Sequence, residues 1–214
     1  GLKLVKHYED LNEKQSRFVD KYFEKEVYPV LTPMAMDSSR PFPLIRNKTL
    51  NIGALISQKG EKGKAEFATV QVPSVLPRII RLPDGTNGEK CVTLLEEVIE
   101  RNIDKLFLNY DVVCAHPYRI MRNADLSIDE DDAADLLKEI QKQLKKRQWG
   151  EVIRLEIEDK MEPKLLKILK QEFEVKEDDI YRISGPLDLT FLMKLYGIDG
   201  MDAHRYTPYR PQPV

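Results

Sequence analysis

Four arginines lie in short runs that are apolar or that alternate apolar and polar residues. Their side chains are the ones in this sequence best suited to chemistry: Arg78, Arg119, Arg122 and Arg154. The planar guanidinium group offers paired hydrogen-bond donors and keeps its charge at any working pH, so it suits phosphate and carboxylate partners. Two interpretations remain open. These arginines either contact an anionic ligand, or they form structural ion pairs and interface contacts, which is the interpretation that we favour.

The alternation of side chains along a strand decides which of these arginines can act together. In residues 151–157 it places Arg154 and Glu156 side by side on one face, where they can form an ion pair. We therefore expect Arg154→Ala to disturb stability more than any ligand affinity. Arg119 and Arg122 point to opposite faces of another predicted strand, so they can meet one ligand only if that strand ends or bulges near Arg122.

Other chemical motifs are missing from the sequence. It contains no Gly-x-x-x-x-Gly-Lys-Ser/Thr phosphate loop and no Gly-x-Gly-x-x-Gly turn. His7, His116 and His204 have no neighbour at the spacing of metal ligands, and we expect His116 to be packed or hydrogen-bonded. The acidic run 129–132 cannot converge on one ion, because consecutive helical residues point about 100° apart. The sequence therefore predicts no catalytic residue, no cofactor-binding residue and no metal site.

Composition limits the classes of partner. The chain has 34 Lys and Arg against 36 Asp and Glu, so it has no global field for polyanions, and any phosphate recognition must be local. We expect no nucleic-acid partner. Cys91 and Cys114 fit free thiols in a reducing compartment. No run approaches about 18 apolar residues and no signal peptide is visible, so we expect a soluble, cytoplasmic protein without a membrane span.

Hydrophobic periodicity and capping patterns predict alternating strands and helices. Capping boxes are expected at Asn12 with Gln15, at Thr93 with Glu96 and at Ser127 with Glu130. The helices that follow them are predicted to end near Pro29, Leu106 and Trp149, and two more are predicted at 163–173 and 189–196. Strands are predicted at 49–57, 65–72, 110–121, 151–157 and 180–183, with a further apolar segment at 74–82. A hairpin followed by strands that helices separate predicts an α+β fold, a single domain with a mixed β-sheet and packed helices.

Several segments also carry a family resemblance. They are Val30-Leu-Thr-Pro33, Pro41-Phe-Pro43, Leu50-Asn51, Val72-Pro-Ser-Val-Leu-Pro-Arg78, Tyr118-Arg-x-x-Arg-Asn-Ala-Asp125, Val152-Ile-Arg-Leu-Glu156 and Gly185-Pro-Leu-Asp-Leu189. In this order they resemble polyphosphate kinase, the ATP–polyphosphate phosphotransferase, over roughly residues 12–209. The matching part of that enzyme is the second of its four domains, called the head or middle domain.

The resemblance implies a domain organisation and a noncatalytic role. Residues 1–28 are expected to form an N-terminal linking helix, residues 29–205 the head domain, and residues 206–214 a proline-rich linker toward C-terminal catalytic domains. The family is understood to use ATP, magnesium and a phosphorylated histidine in those C-terminal domains, and none of their motifs occurs here. We therefore expect this chain to bind no cofactor and to be inactive by itself.

The resemblance also implies partners. These are the N-terminal and C-terminal domains of the same enzyme, polyphosphate for the full-length enzyme, and a second copy, since the head domain is expected to carry much of a homodimer contact. The segment 34–46, with Phe42, Leu44 and Ile45, either meets a neighbour or lies across its own sheet. The alternative function is a noncatalytic polyanion- or protein-binding module whose arginines form the site.

Overall fold

The protein is described by a computed structural model for residues 1–36, 41–60, 65–123 and 150–212. The strands of these ranges are β1 Leu2–Leu4, β2 Pro33–Ala35, β3 Leu50–Gln58, β4 Ala65–Gln71, β5 Ile79–Arg81, β6 Lys90–Leu94, β7 Tyr110–Arg122, β8 Val152–Glu158 and β9 Ile180–Ile183. Their α-helices are α1 Glu13–Tyr22, α2 Leu95–Arg101, α3 Pro163–Phe173 and α4 Leu192–Tyr196. The predicted α+β class is confirmed.

The strands form two mixed sheets. The large sheet has the order β2-β4-β3-β7-β8-β9, and the small one has the order β1-β6-β5. Within the large sheet only β8 and β9 pair in parallel, and within the small sheet only β1 and β6 do. A long central strand, β7, is antiparallel to both β3 and β8, and it therefore holds the two halves of the large sheet together.

Hydrophobic clusters cover both faces of the large sheet. On β3, Ile52, Ala54 and Ile56 enter a cluster that also contains side chains of α1 and α2, whereas Leu55 enters a second cluster with α3. A strand that is buried on both faces is almost continuously apolar, as β3 is. The sheet thus separates two cores, and β7 contributes to both, with Ala115 in the first and Tyr118 in the second.

Helix α1 follows its sequence pattern at the first turn. The Asn12 side chain accepts a hydrogen bond from the Gln15 amide at 3.0 Å, and the Gln15 side chain accepts one from the Asn12 amide at 3.1 Å. This confirms the first predicted capping box. Val19, Phe23 and Val27 are buried, although the chain passes from α1 into a π-helical turn at Phe23–Val27.

The second predicted capping box is wrong. Thr93 belongs to β6, and α2 begins at Leu95 after Leu94 in an extended conformation. Pairing with β1 and β5 keeps this segment in the small sheet, and the Thr93 hydroxyl donates to the Val5 carbonyl at 3.0 Å. The helix also ends earlier than predicted, because Leu106 lies in a separate 3-10 turn, Ile103–Leu106.

Later elements agree with the sequence except at one helix. The predicted helix at 163–173 and strand at 180–183 are confirmed. The predicted helix at 189–196 is divided into a 3-10 turn, Leu189–Phe191, and α4. The helix predicted from Ser127 to Trp149, its capping box and its acidic run 129–132 lie outside the described residues.

The segment 34–46 packs on its own domain where it is described. Phe42 stacks on Phe67, with ring centroids 4.8 Å apart, and meets Phe173 edge-on. Ile45 is buried in the same cluster, whereas Leu44 is exposed. Of the two alternatives for this segment, packing across the sheet accounts for Phe42 and Ile45.

Candidate functional site

Three of the four candidate arginines lie in a single chain of ion pairs, which we call the arginine network. Its members alternate in charge, in the order Glu96, Arg78, Asp188, Arg119, Glu156 and Arg154. Successive charged atoms are 2.6, 3.6, 4.0, 3.2 and 2.9 Å apart. With three positive and three negative side chains the network has no net charge, so it does not by itself create an attractive field for a polyanion.

The register of β7 and β8 brings the central residues of the network together. Arg119 of β7 and Glu156 of β8 are directly opposite each other, and side chains at such positions interact across strands. Glu156 is buried between Arg119 and Arg154, whose guanidinium also lies over the Tyr181 ring at 3.9 Å. The predicted pairing of Arg154 with Glu156 is confirmed, at 2.9 Å between Nε and Oε1, although the angle is too poor for a hydrogen bond.

Arg78 attaches the C-terminal part of the chain to the rest of the domain. Its guanidinium makes hydrogen bonds to both carboxylate oxygens of Glu96 and donates to the carbonyls of Leu187 and Asp188. It also lies 4.8 Å from the centre of the Phe191 ring. Asp188 adopts a left-handed backbone with φ of 51°, which is unusual for a residue other than glycine. We take this conformation as a sign that the surrounding contacts hold Asp188 in place.

Arg122 lies apart from the network. The register shifts between Met121 and Arg122, which confirms the bulge that the sequence allowed at this point. Its guanidinium donates to the carbonyls of Ile45 and Gly150, and burial lowers the pKa of Arg122. The structure therefore places Arg122 at the C-terminal end of β7, where its guanidinium contacts within the described residues are to backbone carbonyls.

A second cluster, which we call the acidic recess, consists of Glu97, Glu100, His116 and Glu158. His116 Nδ1 lies 2.8 Å from Glu158 Oε2. Although burial alone would lower the pKa of His116, hydrogen bonds to Cys114 and Glu158 raise it to about 9. The predicted hydrogen-bonded histidine is thus confirmed.

The carboxylates of the acidic recess repel one another. Burial and the charge of Glu158 raise the pKa of Glu100 to about 7. Burial, followed by the charges of Glu100, Glu96 and Glu158, raises the pKa of Glu97 to about 8, against a smaller opposite effect of Lys6. A cavity of about 150 Å³ borders the recess at Glu97 and Glu158. Excess negative charge in a partly enclosed space favours binding of a proton or a cation.

Comparison with known proteins identifies the domain. The sequence model of the family described as "Polyphosphate kinase middle domain" matches residues 14–195. The chain belongs to this polyphosphate kinase family. The polyphosphate kinase of Halalkalibacterium halodurans is 49% identical over 190 residues, which are 88% of this chain and 27% of that protein. The one from Lactiplantibacillus plantarum is 48% identical over 206 residues, which are 94% of this chain and 28% of that protein.

A solved structure has the same fold. The crystal structure of polyphosphate kinase from Porphyromonas gingivalis aligns with a TM-score of 0.74 and 20% sequence identity, covering 100% of this chain and 30% of that one. This polyphosphate kinase middle domain therefore spans less than a third of the proteins that it matches. No helix in the described part of the chain is long and apolar enough to cross a membrane.

The segments that carried the family resemblance converge in the arginine network of this polyphosphate kinase domain. They contribute Arg78, Arg119, Asp188, and both Arg154 and Glu156. The spacing of residues in the sequence predicted only one ion pair of this network, that of Arg154 with Glu156 on β8. Glu96 and Asp188 were not predicted as partners of the arginines. Glu96 had been assigned to a capping box that does not form, and Asp188 appeared only within a family motif.

The acidic recess was missed entirely by sequence reasoning. Glu100, His116 and Glu158 come from α2, β7 and β8, so none of them is a neighbour of another in the sequence. Motif spacing detects ligands on one helix or one strand, and it therefore found no neighbour at metal-ligand spacing for His116. A histidine within the apolar run 112–117 of β7 was the available signal.

Raising the pH from about 5 to about 9 is expected to lower the melting temperature through Glu97. Its pKa is about 8 in the folded protein against 4.5 in an unperturbed carboxyl, so the folded state holds a proton that the unfolded chain releases. This stabilisation is complete below pH 4.5 and is lost as the pH rises through 8. Thermal unfolding should show a weaker pH dependence in Glu97→Gln, whose amide resembles the protonated acid. The exposed Glu172 provides a control, and equal slopes for wild type and Glu97→Gln would refute the assignment.

Proposed function

We propose that this chain is a noncatalytic scaffold domain of a polyphosphate kinase, the enzyme that transfers the terminal phosphate of ATP reversibly to polyphosphate. The observation that carries the proposal is the arginine network. Arg78 and Arg119 are largely enclosed and are engaged by carboxylates and carbonyls of the domain itself, which leaves them few donors for a phosphate chain. Their role in this proposal is to hold the sheets and the C-terminal segment together.

The chemistry belongs, in this proposal, to other domains of the enzyme. ATP, magnesium and polyphosphate bind there, and this chain binds none of them. Residues 1–28 link it to a preceding domain, with Val19, Phe23 and Val27 docked on the head domain of residues 29–205. Residues 206–214 form a linker toward the catalytic domains. The free thiols Cys91 and Cys114 agree with a cytoplasmic enzyme.

The purified chain is expected to synthesise and degrade no polyphosphate. Phosphoryl transfer depends on positioned groups that neutralise charge, and the arginine network is already neutral. The assay compares the chain with the full-length enzyme in ATP and Mg²⁺, with buffer as the blank. Polyphosphate formation above the blank would contradict the noncatalytic role.

A titration with polyphosphate at low and moderate salt separates the scaffold from the alternative binding module. A scaffold shows no saturable binding at either salt concentration. A polyanion-binding module binds strongly at low salt and weakly at moderate salt, because screening weakens exposed charge interactions. Loss of such binding in Arg154→Ala, the most exposed arginine of the network, would assign the site to the arginines and overturn the scaffold role.

We further propose that the domain forms a homodimer. Leu44 is exposed in the described part of segment 34–46, and exposed apolar side chains mark an interface where they belong to a contiguous apolar patch. Sedimentation across a wide range of concentration is expected to show a dimer that Leu44→Glu weakens. Leu108→Glu, at another exposed leucine, is the matched control. If the chain stays monomeric at high concentration, the domain is not sufficient for dimerisation.

A further inference from the structure

We propose that Glu100, His116 and Glu158 bind one divalent transition-metal ion of the zinc type. The three potential ligand atoms lie within 4.8 Å of one another, and the imidazole and the Glu158 carboxylate are already in contact. Bonds of about 2.0–2.2 Å from zinc to nitrogen or oxygen place two ligands of one ion roughly 3–4 Å apart. Small rotations of the two carboxylates are therefore enough to close the site.

The set of donors selects the class of ion. One imidazole nitrogen and two carboxylates suit Zn²⁺ and Co²⁺, whereas Mg²⁺ prefers an octahedron of oxygen atoms. The ligands come from one helix and two adjacent strands, so the backbone positions of all three are supported by regular structure. His116 and Glu158 are mostly enclosed, with side chains 17% and 30% exposed, which limits competition from water while leaving an opening for the ion.

Charge balance favours an ion at this position. Once the ion displaces the protons of His116 and Glu100, the two carboxylates and the neutral imidazole carry two negative charges, which one divalent cation neutralises completely. The nearby Arg101 guanidinium is directed to the Tyr8 ring at 3.5 Å. Lys6 is the cation that acts on Glu97. A bound divalent ion therefore leaves the site itself without net charge.

Space for a remaining ligand is available beside the site. The cavity of about 150 Å³ reaches Glu158 and is bordered by Pro117, the residue after His116. Three protein ligands and a water molecule complete a tetrahedral zinc site. The bound ion joins α2 to β7 and β8, and it stabilises the folded state because the unfolded chain does not preserve this arrangement.

The test is titration of the chain with Zn²⁺ after treatment with a chelator. Calorimetry is expected to show one ion per chain, and the melting temperature is expected to rise with added Zn²⁺. Co²⁺ should give the visible absorption of a tetrahedral site, and Mg²⁺ should neither bind nor stabilise. Glu100→Gln and His116→Gln should each weaken Zn²⁺ binding by more than about tenfold.

His204→Gln is the matched control, because it removes an exposed histidine outside the recess. Circular dichroism of every variant separates loss of the site from loss of the fold, and Glu158→Gln provides a third variant if one of the others unfolds. The proposal is overturned if wild type shows no saturable binding at one equivalent, if binding is lost in His204→Gln, or if the folded recess variants bind as wild type does.

Discussion

Glu156→Gln is expected to lower the free energy of unfolding by about 3–5 kcal/mol, because it removes a buried charge that two arginines share. Its carboxylate lies between Arg119 and Arg154, and its side chain is 6% exposed. Glutamine keeps the shape but removes the charge, which leaves an enclosed Arg119 with a weaker partner. Urea denaturation followed by circular dichroism measures the loss.

Glu177→Gln is the matched control for this experiment. Glu177 also bridges two cations, Lys170 at 2.6 Å and Arg182 at 3.0 Å, but its side chain is 61% exposed. Water screens an exposed pair, so the midpoint of unfolding should stay within error of wild type. Equal losses for Glu156→Gln and Glu177→Gln would show that burial does not strengthen the network.

Arg154→Ala tests the other side of the same ion pair. Arg154 is 37% exposed and contributes an ion pair and the contact with Tyr181, so the expected loss is about 1–2 kcal/mol. Full-length enzyme with this substitution should keep its activity at temperatures where it stays folded. An unchanged melting temperature with lost activity would mean that Arg154 contacts a ligand and does not stabilise the fold.

Arg78→Ala is expected to cost a similar 3–5 kcal/mol and to release the C-terminal segment. The guanidinium satisfies Glu96 and the carbonyls of Leu187 and Asp188, and alanine leaves the enclosed Glu96 charge without this partner. Hydrogen exchange should therefore increase most in residues 185–205, and less in the large sheet.

Arg78→Lys distinguishes geometry from charge. A lysine ammonium retains the positive charge but cannot make the paired hydrogen bonds of a guanidinium, so it should recover only part of the stability. Arg182→Ala, at an exposed ion pair, is the control for removal of an arginine. A uniform rise in exchange across the chain, or full recovery by lysine, would contradict the role of Arg78 as an attachment point.

The sequence alone determined those features that depend on neighbours a few residues away. The capping box at Asn12 follows from the spacing of the first helical turn, and the helix at 163–173 and the pair of Arg154 with Glu156 follow from periods of 3.6 and 2 residues. The family could also be recognised from the sequence alone, because its motifs occur in order along the chain and need no structure to be seen. The box at Thr93 failed because pairing of β6 with two strands outweighed a local capping preference.

Only the tertiary structure decided which distant charges meet. Arg119 lies opposite Glu156 because of the register of β7 and β8, and Asp188 meets Arg78 because the C-terminal segment packs against the guanidinium of Arg78. His116 meets Glu158 for a similar reason. Such contacts depend on how strands pair and helices pack in space, and the spacing of residues along the chain carries no direct record of that arrangement.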